Sequence, residues 1–61
     1  MIDEKFIKVG QKFKGQIKGY IITITEIKEE DGNVYVFIKD EQGHILGTNI
    51  DTFKHLLFDA I

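Results

Sequence analysis

The chain of 61 residues contains no cysteine, proline, tryptophan, serine or arginine. Without Cys there is no disulfide staple and no thiolate metal site, so nothing covalent helps a core this small. With Ser and Cys both missing, the two commonest catalytic nucleophiles are gone. Without Arg the chain lacks the planar fork that reads guanine edges and grips phosphate or carboxylate through two bonds. Long hydrophobic stretches are absent too. The longest uninterrupted apolar run, Val34–Ile38, is five residues, far short of a membrane span. The opening MIDEKFIKVG is acidic before it is basic and has no sustained apolar core, so it does not read as a signal peptide, and a cytoplasmic location is expected.

What is present is globular in kind. Apolar residues make up 43% and charged residues 30%, with a net charge of -2. One domain spanning residues 1–61 is all the length permits. A domain of this size buries only about 60% of the surface its unfolded chain exposes, so it is marginal unless well packed or associated with a partner. Lysine and isoleucine dominate, which is the compositional trend of an AT-rich genome.

Ile, Val, Thr, Phe and Tyr are the residues that favour strands, and they outnumber the good helix formers. Six glycines punctuate them. KFKGQIK at 12–18 alternates Phe13 and Ile17 with polar residues, the period of a half-buried strand, with Gly15 on the apolar face where a bend is permitted. YIITITEIK at 20–28 and VYVFIK at 34–39 flank Asp31-Gly32, the pair that two-residue hairpin turns prefer. A second turn, Asp40-Glu41-Gln42-Gly43, leads to the shorter strand HILGTNI at 44–50. From there the period changes. Phe53, Leu56, Leu57, Ala60 and Ile61 fall on one helical face, with Asp51 placed as the N-cap, and predict a helix over 51–61. Residues 1–10 fit either a helical turn or a short strand that lays Phe6 and Val9 on the core. The expected fold is mainly β: a curled antiparallel meander or small barrel of four to five strands with one short C-terminal helix.

The central hairpin carries more apolar surface than a single small sheet can cover. With a three-residue loop, Ile24 faces Ile38, Thr25 faces Phe37 and Ile27 faces Tyr35, leaving both faces apolar. An open antiparallel sheet usually keeps one face wet. Either the strands curl into a barrel, or Ile27, Tyr35 and Phe37, with Phe53, Leu57 and Phe58 of the helix, form a surface for a protein partner or a second copy.

Other constellations are weaker. Lys12, Lys14 and Lys18 form a basic stripe with Tyr20 as a stacking face, an arrangement suited to a phosphate backbone or a small anionic ligand. The same lysines on an edge strand equally block aggregation, and the chain is acidic overall. Glu26, Glu29, Glu30, Asp31, Asp40 and Glu41 read as an acidic docking surface or as solvated turns. His44 and His55, eleven positions apart, match no metal-ligand spacing even with Asp40 or Asp51. No cofactor, metal or catalytic residue is assigned.

The succession VGQKFKG, a long strand, EEDGN, a second long strand, DEQG and a final strand resembles small Src-homology-3-like barrels of the Tudor or KOW type, and short proteins of bacteriophages and mobile elements. It departs from those barrels at residues 51–61, where a helix is predicted in place of the last strand. The resemblance implies a non-enzymatic accessory factor that binds a host protein, conceivably as an inhibitor, and carries no site residues with it. The expected protein is a homodimer that acts through protein–protein contacts, with sequence-tolerant nucleic-acid binding as the alternative.

Overall fold

A computed structural model describes residues 1–61. A single 3-10 turn at Glu4–Phe6 precedes five strands and one short helix: β1 (Lys12–Gly15), β2 (Ile21–Glu30), β3 (Asn33–Asp40), β4 (Ile45–Asn49), α1 (Ile50–Lys54) and β5 (Phe58–Ala60). All pairings are antiparallel, in the order β4-β3-β2-β1-β5. The hairpin turns are set by local chemistry. Asp31 and Gly32 take φ of 52° and 79°, the left-handed values of the two-residue turn that matches strand twist. Strand β1 lies between β2 and β5, so the basic strand is interior to the sheet and the edges are β4 and β5.

Three expectations from the sequence are corrected. The predicted helix over 51–61 is instead α1 followed by β5, and α1 is capped by Asn49, whose side chain accepts from the Asp51 amide. The predicted stripe is only partly kept: Phe53 is buried and Leu56 and Ala60 pack on the core, but the strand turns Phe58 inward and leaves Leu57 and Ile61 exposed. The loop has two residues, not three, which pairs Ile27 with Val36 and Glu26 with Phe37, and a β-bulge at Thr25 then brings Ile24 opposite Ile38. One extra residue turns Ile27 to the inner face, where it packs on the core, so it does not share a face with Tyr35 and Phe37. Val9 sits in an exposed turn; Ile2 takes its place in the core, with Phe6 and Ile7 packed beside it.

The core is small: Ile2, Phe13, Ile22, Ile24, Val36, Ile38 and Phe53. Phe13 of β1 and Phe53 of α1 meet edge to face at 5.5 Å and 83°, and both are fully buried. The N-terminal segment is fastened over them. The Ile2 amide donates to the Lys54 carbonyl at 2.8 Å, and Glu4 pairs with the Lys54 ammonium. Gly10 and Gln11 bond to Ile24 on β2.

Phe53→Ala is expected to remove about 3–5 kcal/mol, comparable with the roughly 3–5 kcal/mol that a core of this size supplies. Its circular dichroism at 25 °C should be that of an unfolded chain, while Phe53→Leu keeps the fold with a lower melting point; a cooperatively melting Phe53→Ala domain contradicts this. On the outer face a Cβ at Gly47 would lie 2.6 Å from the Phe37 ring. Gly47→Ala should therefore destabilise the protein markedly less in a Phe37→Ala background, a coupling that a double-mutant cycle of urea unfolding reads directly.

Candidate functional site

The covering elements reach only half of the inner face. Helix α1 and the N-terminal segment lie over the end that holds Phe13, Ile24 and Val36. At the other end, where β1 gives way to the Gln16–Lys18 turn and β3 to the Glu41–Gln42 turn, nothing covers the sheet. There a cleft of about 430 Å³ is lined by Tyr20, Ile22, Ile38, Asp40, His44, Ile45, Leu46 and Phe58. Edge strands β4 and β5 both contribute to it. In a flat sheet they would stand about 19 Å apart at ~4.8 Å per strand. The shared cleft therefore means that the sheet is curled, bringing Leu46 and Phe58 towards one another across its mouth.

Each lining side chain has a local cause. Phe58 stands opposite Gly15 on β1, where an added Cβ would lie 3.3 Å from its ring, so the glycine leaves the aromatic room to lie on the sheet. Leu46 is the cross-strand partner of Ile38 and shares its inward face. Tyr20 follows Gly19, whose φ of 71° closes the β1–β2 turn through its amide bond to the Gly15 carbonyl. A second groove runs on from the first, sharing Tyr20 and Phe58 and adding Ile17, His55, Leu56 and Leu57. Around the two, Tyr20 is 61%, Ile45 66%, Leu46 64%, Leu57 55% and Ile17 78% exposed. Large apolar side chains this exposed, and contiguous, mark an interaction surface.

The rim carries one organised polar group. Asp40 accepts from the Gln42 and His44 amides at 2.9 Å each, and its other oxygen lies 3.2 Å from His44 Nδ1. The His44 backbone bond is the largest influence holding the Asp40 carboxyl below its ordinary value; partial desolvation opposes it, and the Gln42 amide and the His44 ring add to it. His55 lies on the second groove, so the two histidines do not converge, and no cluster of three or more potential ligands is poised to hold a metal ion.

The other residues singled out from the sequence fall in separate places. Phe53 is wholly in the core and is not available to a partner, a correction to its place in the expected interface. Phe58 and Leu57 line the grooves, the former from a strand rather than a helix. Tyr35 and Phe37 are half-buried on the outer face, where the Lys28 ammonium stands 5.6 Å from the Phe37 ring centre. Lys12 donates to Thr23 Oγ1 at 3.0 Å, Lys14 is opposite Asp59, and Lys18 lies on the turn beside the second groove. The stripe is thus broken by a carboxylate and by the turn. The acidic residues divide as well, Glu29–Asp31 at one end of β2 and β3 and Asp40–Glu41 at the other. Sequence reasoning did not find Ile45 and Leu46; their signal was two adjacent apolar residues opening a strand with no charge to protect it.

Compared with family models, curated proteins and solved structures, the chain matches none. No helix is long and apolar enough to cross a membrane.

The lowered Asp40 value has a consequence for stability. A carboxyl whose folded pKa is depressed contributes stability that is fully present above its unfolded value and is lost as pH falls through the folded value. Between about pH 5 and about pH 2 the urea midpoint of the wild type should fall more steeply than that of Asp40→Asn. Parallel profiles would mean that the turn does not hold the ionised form.

Proposed function

We propose that this protein is a non-enzymatic binding module that recognises an apolar segment of a partner protein in the groove between Tyr20, Leu46, Leu57 and Phe58. The observation that carries the reading is the exposure of Tyr20, Leu46 and Leu57 around a preformed cleft, with Phe58 packed between them and the core. The chemistry of the lining fits binding and offers little for reaction. Six of its eight residues are hydrophobic, and the one carboxylate is already engaged by its own turn. A ligand that fits would bring two or more apolar side chains to the groove.

Strand β5 supplies a last strand in the place where a helix had been predicted from the sequence, and we keep the resemblance to Src-homology-3-like barrels as part of the proposal. The reading as an accessory factor that occupies a surface on its target follows from that resemblance and from the groove together. Nothing specific favours nucleic acid over protein.

Selection of a random-peptide library on the immobilised domain should enrich sequences with paired large apolar residues. Tyr20→Ser and Leu57→Ser, both at exposed positions, should weaken the enriched peptides by about 1–3 kcal/mol each without lowering the melting point. Enrichment no better than on an unrelated domain, or peptides that bind both variants unchanged, would remove this reading.

A further inference from the structure

The two edges of the sheet are protected very differently. Strand β5 is three residues long, carries Asp59, and has its neighbourhood occupied: the Gln16 side chain donates to Asp59 at 3.1 Å, and the Gln11 side chain to the Ile61 carbonyl at 3.3 Å. Strand β4 reads ILGTN. It has no charge, no proline and no bulge, and β1, β2 and β3 all carry lysine where β4 has none. Charge, proline and bulges are the usual devices that keep a free edge from pairing.

The outward backbone groups of β4 can be assigned. The Asp40 amide donates to the His44 carbonyl at 3.0 Å, which makes that pair a bonded one in the β3–β4 ladder. Bonded and non-bonded pairs alternate along an antiparallel ladder. In the observed register the Leu46 and Thr48 groups therefore turn towards β3, and those of Ile45 and Gly47 turn away from the sheet. Two donors and two acceptors thus face outward in a strand with Ile45 bare on one face and Leu46 bare on the other.

We infer that β4 pairs antiparallel with β4 of a second copy of this chain, across a two-fold axis at Leu46, to give a continuous ten-stranded sheet. The register follows from which groups point outward: Ile45 of one copy meets Gly47 of the other, so that all of these outward donors and acceptors are bonded, and Leu46 meets Leu46 at the axis. Every pair so formed is uncharged, so the strand is complementary to itself. Pairing with β5 instead would set an uncharged apolar edge against Asp59. Two five-residue edges bury far less than the ~1,600 Å² of a standard interface, so the association is a weak one. The inference rests on the β4 backbone; Ile45 and Leu46 also line the groove proposed above, so the protection of the Ile45 and Gly47 amides, which a contact through the groove leaves unchanged, separates the two.

Sedimentation equilibrium and amide hydrogen exchange of the full chain, from about 10 µM to about 2 mM, test it. The mass-average should climb towards the dimer, and the Ile45 and Gly47 amides should gain protection with concentration while other exposed amides do not. Ile45→Pro removes only an outward donor, and Ile45→Lys keeps the donor but adds edge charge; each should weaken association by about tenfold or more. Should Ile45→Pro disturb the fold, Ile45→Lys carries the test alone. A strict monomer at the highest concentration overturns the inference. So does a dimer indifferent to both variants and abolished by Tyr20→Ser, which would place self-association in the groove.

Discussion

The edge-to-face contact of Phe13 with Phe53 is the interaction on which the remaining architecture turns. A helix of five residues has no stability of its own in water. It exists because Phe53 has a buried ring to rest on, and because Asn49 satisfies an amide at its start. Docking α1 there folds the chain back over the inner face and delivers residues 58–60 to the free side of β1. It also fixes Lys54, whose carbonyl and ammonium together hold the N-terminal segment in place. The cover and the fifth strand both depend on one pair of aromatic rings.

That arrangement also explains why a groove exists. A cover made of one helical turn and a short N-terminal segment spans one end of the sheet and no more. Strand curl brings β4 and β5 together at the other end, but no side chain is large enough to fill the space between them. Ile22 and Ile38 still belong to the core, so the floor of the groove is continuous with the interior. A bound apolar segment would complete a core that the chain leaves unfinished, which is how a domain with seven buried residues gains from having a partner.

Much of the fold was legible in the sequence because its signals were local. Asp31-Gly32 marks the tight hairpin, and the alternation of Val34, Val36 and Ile38 marks an inward face; Ile24 meets Ile38 because the shorter turn and the bulge offset one another. Two features were not legible. Thr25 and Glu26 are both polar, so nothing in the pattern says that one of them is an extra residue, and the bulge moves Ile27 to the opposite face. The C-terminal residues satisfied a helical period by coincidence: Phe53, Leu56 and Ala60 face inward in either arrangement, but the strand brings in Phe58 and exposes Leu57 and Ile61. The candidate site was only partly visible for a related reason. Tyr20, Leu57 and Phe58 were singled out, but for different surfaces. Ile45 and Leu46 lie on adjacent positions that face opposite sides of a strand, and neither periodicity selects such a pair.

The partnership of β1 with β5 bears on the order in which the protein can be built. The β2–β3 hairpin closes across two residues, whereas Phe13 must find Ala60 at the far end of the chain. Loop closure over that separation is entropically the most expensive step, and chains dominated by such pairings fold slowly for their size. Until the last strand arrives, β1 presents an open edge of its own beside the partly formed core. A growing chain can pair β1 with β5 only after residues 58–60 have emerged, and until then β1 and β4 are both open edges.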